Sequence, residues 1–191
     1  MIFYLGYQRK FPGLELHNIF FSKDYREEFR KLSARGPCVL HEDPTVYIYN
    51  SSFMEPGDAP PGGSNLFVMI NTPHSRGEDW TSFTKIAKEH IFRKLVREYR
   101  IDLNDGIVFE KIATPRTIEQ QTLSHAGALY GNHSNSVLSA FNRHPNFSRK
   151  IPNLFFAGGS VHPGGGIPLC LASAKIVEDE LKDYLLKTRQ G

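Results

Sequence analysis

Five glycines, Gly158, Gly159, Gly164, Gly165 and Gly166, crowd one short stretch together with Ser160, His162 and Pro163. Glycine has no Cβ, so such a stretch lets a ligand come close to the backbone and lets the chain take left-handed conformations. Ile167, Pro168 and Leu169 follow directly. Pro168 stands where the first residue of a helix is expected, because its fixed φ suits that position. Neither Gly166 nor Ile167 has a side chain able to cap this helix, so the N–H groups of Leu169, Cys170 and Leu171 have no evident partner in the chain. Water can satisfy them, and so can an anionic or phosphate-bearing ligand; both readings stand at this level. The spacing is not the G-x-G-x-x-G dinucleotide fingerprint, and the downstream acidic residue of that motif is absent.

Other residue types capable of chemistry form no comparable set. Of the eight histidines, His125 and His133 share no ligand spacing and no carboxylate adjoins them, so no metal site is expected. No G-x-S-x-G elbow accompanies the serines, which argues against nucleophilic hydrolysis. His162 has two readings, holding the glycine loop through a backbone hydrogen bond or taking part in catalysis. Cys38 and Cys170 make neither a disulfide framework nor a metal spacing, and a reduced, intracellular protein is the default.

The elements that must position the glycine loop are a strand before it and a helix after it. Leu154, Phe155, Phe156 and Ala157 read as a fully buried strand of an α/β sheet. Beyond the loop, Cys170, Ala174, Val177, Leu181 and Leu185 recur at helical spacing and form one apolar stripe. Earlier in the chain, strands are expected over 2–7, 45–49, 66–70 and 107–112, with a further apolar run over 16–21. The second and third of these strands are separated by a Pro/Gly-rich loop and are expected to pair antiparallel. Ser22 is placed as the cap of a short helix with Tyr25, Phe29 and Leu32 on its apolar side, stopped by Gly36-Pro37. Ser75 and Glu78 fit a capping box before a long helix whose buried face is Phe83, Ala87, Ile91, Leu95 and Tyr99. From 117 to 150 the periodicity fades. Gly127 and the run Gly131–Asn135 read as an irregular polar loop region, a kind of segment that often carries function.

The chain has 191 residues, enough for one medium domain or parts of two. Fourteen Phe and eight Tyr in a 40% apolar composition supply a core and suit an apolar binding surface, and disorder is excluded. A net charge of +3 with mixed signs excludes a dedicated nucleic-acid binder but allows weak attraction to an anionic membrane surface. No secretory signal and no run of about 20 apolar residues is seen.

Asn153-Leu-Phe-Phe-Ala-Gly-Gly-Ser-Val-His-Pro-Gly-Gly-Gly-Ile-Pro168 resembles the C-terminal signature of the phytoene dehydrogenase-like carotenoid desaturases, FAD enzymes of the amine-oxidase superfamily. His17-Asn-Ile-Phe-Phe-Ser-Lys-Asp-Tyr25 is similar to the middle segment of that family. Thr114-Pro-Arg-Thr117 and Gly127-Ala-Leu-Tyr-Gly131 are similar to its passage back into the flavin domain. The resemblance runs over nearly the whole chain, and desaturases, isomerases and oxygenases of carotenoids share these motifs.

The resemblance implies a mixed α/β and α+β fold: residues 1–115 as part of an antiparallel-sheet substrate domain, and 116–191 as the closing part of a Rossmann-like FAD domain. It implies an FAD site at Gly158, Gly159, Ser160, His162, Pro163, Gly164, Gly165, Gly166, Ile167, Pro168 and Leu169. Ser160 stands where many relatives in the superfamily have an acidic residue for the ribityl hydroxyls, which favours the carotenoid branch. The implied chemistry is hydride transfer from a long polyene to flavin, with no catalytic acid–base pair assigned. The βαβ unit that binds the FAD pyrophosphate is not in this sequence, so the expectation is the second half of such an enzyme, a truncated, cleaved or split-gene product that is inactive alone and needs an N-terminal half as partner. The expected location is cytoplasmic or peripheral at the inner face of the membrane. A rival expectation is a non-catalytic module that binds apolar ligands or a membrane through its sheet. With strand and helix deprived of neighbours, the isolated chain is expected to bind no FAD tightly and to self-associate, or swap elements, through 153–186.

Overall fold

Alternation decides the first element. In Ile2–Tyr7 (β1) every second residue, Phe3, Leu5 and Tyr7, is buried, as a strand with one face on a core requires. The computed structural model describes residues 1–34, 36, 38–128 and 143–189 and divides the chain into two units, Met1–Gln121 and Thr122–Gly191.

In the first unit, β1 joins His17–Phe20 (β2), Val46–Asn50 (β3), Ser64–Ile70 (β4) and Ile107–Ala113 (β5) in one sheet of order β2-β3-β4-β1-β5. Every neighbouring pair is antiparallel, β3 with β4 as expected. The fold is therefore α+β in this unit. One face of the sheet presents Phe3, Leu5, Val46, Ile48, Leu66 and Val68 to a core completed by the helix Trp80–Tyr99 (α2). From that helix Ala87, Ile91 and Leu95 are buried as the periodicity predicts; Phe83 is only partly buried and Tyr99 is exposed.

The caps differ from the sequence reading. The helix Tyr25–Ser33 (α1) is capped by Asp24, whose carboxylate accepts from Glu27 N–H at 2.8 Å. Ser22 instead donates its hydroxyl to Glu28. In α2 the cap is Asp79, accepting from Thr81 and Ser82 N–H. Ser75 accepts from the Trp80 indole, and Glu78 from Arg76 N–H. In both places an aspartate adjoins the first helical residue and wins the cap position over a more distant serine. Pro115–Thr122 is a helix (α3) that faded periodicity had hidden; Thr114 and Thr117 cap each other at its start, with Thr114 N–H donating to the Thr117 hydroxyl at 2.8 Å.

Two buried charges tie α1 and α2 to the sheet edge. Glu28 accepts from Ser22, Thr45 N–H and the Thr45 hydroxyl. Lys94, 2% exposed, donates to Phe21 O and Pro44 O and meets Asp43 at 2.9 Å. Burial alone would raise the Asp43 carboxyl, but the Lys23 N–H and the Lys94 ammonium hold it below its ordinary value. Burial pushes the Cys38 thiol up to about 11, so it is inert as a nucleophile.

The second unit contains the helix Ile167–Arg189 (α4) and the segments wrapped on its first half. Leu154–Ala157 is not a strand. Only single bridges form, Phe147 with Phe155 and His144 with Val161, and the run is half-buried to exposed. Apolar β-type residues make a strand only where a ladder neighbour exists, and the described residues supply no second strand here. The expected stripe on α4 is also corrected: Leu181 and Leu185 are 40% and 49% exposed, and Ala174 is exposed. Pro37, the residues 129–142 with His133, and the loop Gly131–Asn135 lie outside the described residues.

Candidate functional site

Helix α4 begins one residue earlier than expected, at Ile167, so Pro168 takes its second position. Cys170 N–H already bonds Gly166 O at 2.9 Å, and Leu171 lies inside the helical ladder. That corrects the free donors to the first turn alone, Ile167 and Leu169, because Pro168 has none.

The glycines divide by what surrounds them. Gly158, at φ 122°, and Gly166, at φ 97°, take left-handed backbone, and a Cβ on either would meet nothing within 4 Å. Gly164, at φ 142°, packs on the Arg143 guanidinium, where an added Cβ would lie 3.2 Å from Cζ. Gly159 has Gly165 Cα at 3.3 Å and Cys170 Sγ at 3.5 Å in the same sense. Gly159 and Gly164 thus pack inward, while Gly158 and Gly166 line open backbone. Ser160, Ile167, Pro168 and Leu169 are exposed, and Gly165 and Pro163 half-buried. The His162-Pro163 peptide is cis. His162 serves the loop through its backbone, its N–H donating to His144 O and its carbonyl accepting from Asn146.

What shapes the loop is a pair of polar side chains that the sequence reading missed. Asn146 is 4% exposed, and its amide nitrogen reaches Phe156 O at 3.1 Å, His162 O at 2.9 Å and the Ser173 hydroxyl at 2.8 Å. Ser173, fully buried on α4, accepts from Gly158 N–H at 3.0 Å. One cluster therefore ties the 143–148 segment, the start and the middle of the glycine loop and the helix. Arg143 adds a hydrogen bond to Gly159 O and brings a fixed positive charge beside Gly164. A polar residue on an otherwise apolar run, Ser173 three residues beyond Cys170, was the only signal available.

The first unit carries a second feature. The sheet face opposite the core alternates out of register with it: Ile2 and Tyr4 on β1, Ile19 on β2, Tyr47 and Tyr49 on β3, Phe67 and Met69 on β4. Cross-strand pairing puts Tyr4 beside Phe67, Tyr49 beside Phe67 and Tyr47 beside Met69. The rings interlock edge to face, Tyr4 with Phe67 at 5.5 Å and Tyr47 with Phe67 at 6.2 Å. His17 stacks on Tyr49 at 5.2 Å, and its Nδ1 is 2.9 Å from the Tyr47 hydroxyl. The four strands that carry it, spaced at about 4.8 Å, make this aromatic floor about 14 Å wide.

No protein-family model matches the chain. Curated relatives do. A 1-hydroxycarotenoid 3,4-desaturase of Flavobacterium sp. (strain P99-3) is 51% identical over 179 residues, 94% of this chain and 36% of that protein. A 4,4'-diaponeurosporene oxygenase of Staphylococcus haemolyticus (strain JCSC1435) is 34% identical over 94% of this chain and 36% of its own length. A 4,4'-diapophytoene desaturase (4,4'-diaponeurosporene-forming) of Staphylococcus aureus (strain Newman) is 36% identical over 88% of this chain and 34% of its own length. The chain spans about a third of the length of these relatives and corresponds to a carboxyl-terminal part of them. With similarity across 94% of its residues, the chain is a carboxyl-terminal part of a carotenoid desaturase-like protein.

Proposed function

We propose that this chain is the carboxyl-terminal part of an FAD-dependent oxidoreductase that desaturates a long polyene, a carotenoid of the phytoene or hydroxycarotenoid class. The observation that carries the reading is the aromatic sheet face built from Tyr4, Tyr47, Tyr49 and Phe67, in a chain 51% identical to a 1-hydroxycarotenoid desaturase. A rigid polyene has no group to hydrogen-bond along most of its length, so shape and apolar contact must hold it, and a flat floor of rings offers both.

The glycine loop suits a flavin. Gly158 and Gly166 leave backbone open where any side chain would obstruct, and the first turn of α4 and Arg143 favour negative charge. When bound, the flavin supplies a two-electron acceptor for hydride from carbon. The chain's own residues then bind and orient: the loop from Gly158 to Leu169 holds the cofactor, Asn146 and Ser173 fix the loop, and the sheet face in residues 1–115 positions the polyene. Residues 116–191 are the closing part of the flavin domain, and the partner is an amino-terminal half that completes it.

Co-expressing the chain with the amino-terminal portion of the Flavobacterium relative tests this. The expected result is a yellow complex whose flavin absorbance co-purifies with both pieces and which adds a double bond to a hydroxycarotenoid. A complex that forms without flavin and without conversion overturns the reading.

A further inference from the structure

The aromatic sheet face is not uniform from edge to edge. Its register lines up His17, Tyr49, Phe67, Tyr4 and Lys111 in one rank across the sheet. Three rings are thus flanked by a polar residue at either end. The adjoining rank runs Ile19, Tyr47, Met69 and Ile2, and the Tyr47 hydroxyl is the one hydroxyl on it.

The polar groups of the two ranks meet at the β2 edge. His17 stacks on Tyr49 with the rings 5.2 Å apart and 27° from parallel, and its Nδ1 lies 2.9 Å from the Tyr47 hydroxyl. Stacking fixes the plane of the imidazole, and the hydrogen bond fixes which nitrogen faces Tyr47. The bond is exposed, and β2 does not depend on it. That strand is already held by its ladder to β3 and by the Asn18 amide, which donates to Ile48 O at 3.2 Å.

Either tautomer of a neutral imidazole gives this pair the same outward chemistry. When the Tyr47 hydroxyl donates to Nδ1, Nε2–H remains as a donor and the phenol oxygen as an acceptor. When Nδ1–H donates to the phenol oxygen, the hydroxyl proton is left to donate and Nε2 to accept. One donor and one acceptor therefore stand at the rim of an apolar floor. An alcohol matches both, a carboxylate only accepts, and a hydrocarbon does neither. Lys111, at the opposite end of the rank, offers donors alone.

We propose that His17 and Tyr47 are specificity-determining residues that bind a hydroxyl group at the end of a polyene lying on the rings of Tyr49, Phe67 and Tyr4. The inference rests on the reading of this sheet face as a polyene floor and adds which end of the floor selects the ligand, and by which chemical group.

The test titrates the chain with three short polyenes of one skeleton: retinol, its methyl ether, and the hydrocarbon that lacks the oxygen. The shift of the polyene absorption band reads binding. Retinol should bind roughly tenfold more tightly than the hydrocarbon, with the ether, which accepts but cannot donate, between them. His17→Phe and Tyr47→Phe keep a ring in place and remove the polar atoms. Each should bring retinol to within about twofold of the hydrocarbon while leaving the affinity for the hydrocarbon itself within about twofold of the parent's. Lys111→Gln should keep the full preference for the alcohol. Equal binding of all three polyenes by the parent overturns the proposal and leaves the desaturase reading standing. Binding of none removes the polyene floor and the proposal together. A preference lost in Lys111→Gln but kept in the His17 and Tyr47 variants overturns it by moving the hydroxyl to the other edge.

Discussion

The two units use apolar residues in opposite ways. In the first, Phe3, Leu5, Val68, Ile91 and Leu95 are at most 1% exposed and close one core between sheet and helix. In the second, Ile167, Leu171 and Leu186 are 80%, 67% and 58% exposed, and order comes from the polar cluster of Asn146 and Ser173. The first unit therefore contains its own packing partners. The second holds a shaped loop whose apolar surroundings await a surface that the described residues do not provide.

The largest effect that would sharpen this contrast is a cavity in the first core. Leu95→Ala should cost about 3 kcal/mol, because its side chain is fully buried among sheet residues. Leu171→Ala should stay within about 0.5 kcal/mol. The protein's single tryptophan, Trp80, is buried in the first unit, so its fluorescence in urea follows that unit alone. Equal costs for the two leucines would erase the contrast.

Next is Asp43→Asn, expected to cost about 2 to 3 kcal/mol by leaving Lys94 buried without its counter-charge. The pH dependence has a definite sign. Asp43 is held below its ordinary value, so its contribution is complete above the unfolded value of about 3.9 and is lost as pH falls through the lower folded value. Urea midpoints between pH 3 and 7 should therefore drop at the acid end in the parent and drop less in the variant. An identical acid limb in both would remove Asp43 from the account.

In the second unit the effects should be smaller and local. Ser173→Ala leaves Gly158 N–H and the Asn146 amide short of a partner, a cost of about 1 to 2 kcal/mol. Amide exchange at Gly158 should accelerate roughly tenfold or more while exchange in β1 and β4 is unchanged. A parallel change in the sheet would mean that the units unfold as one.

What was legible in the sequence follows the same division. Strands β1, β3, β4 and β5 and the buried Ala87, Ile91 and Leu95 of α2 were readable because the periodicity reports a core that lies within this chain. Leu154–Ala157 misled because its composition promises a strand and a strand needs a neighbour. Asn146 was invisible since its three acceptors, at 156, 162 and 173, converge only in space. The aspartate caps were missed by a different route: Asp24 and Asp79 each precede the helix directly, and a serine two or four residues earlier looked equally able.

The smallest effect on stability belongs to the exposed leucines of α4, and it separates packing from association. Leu171 and Leu186 touch too little for their loss to matter to folding, so Leu171→Lys with Leu186→Lys should move the urea midpoint by less than about 0.5 kcal/mol equivalent. Yet contiguous apolar surface is what drives chains together, at about 25 cal/mol for each Å² covered. The parent chain should therefore self-associate through 153–186 at micromolar concentration, and the double lysine variant should shift toward monomer. Size-exclusion chromatography with light scattering reads the mass. A flavin titration on the same samples should show no tight FAD binding by either, since in the proposed function the loop from Gly158 to Leu169 is one side of a site whose other side an amino-terminal half supplies. A monomeric parent that takes up FAD at micromolar affinity would mean that the second unit is complete, and that its exposed leucines have nothing to await.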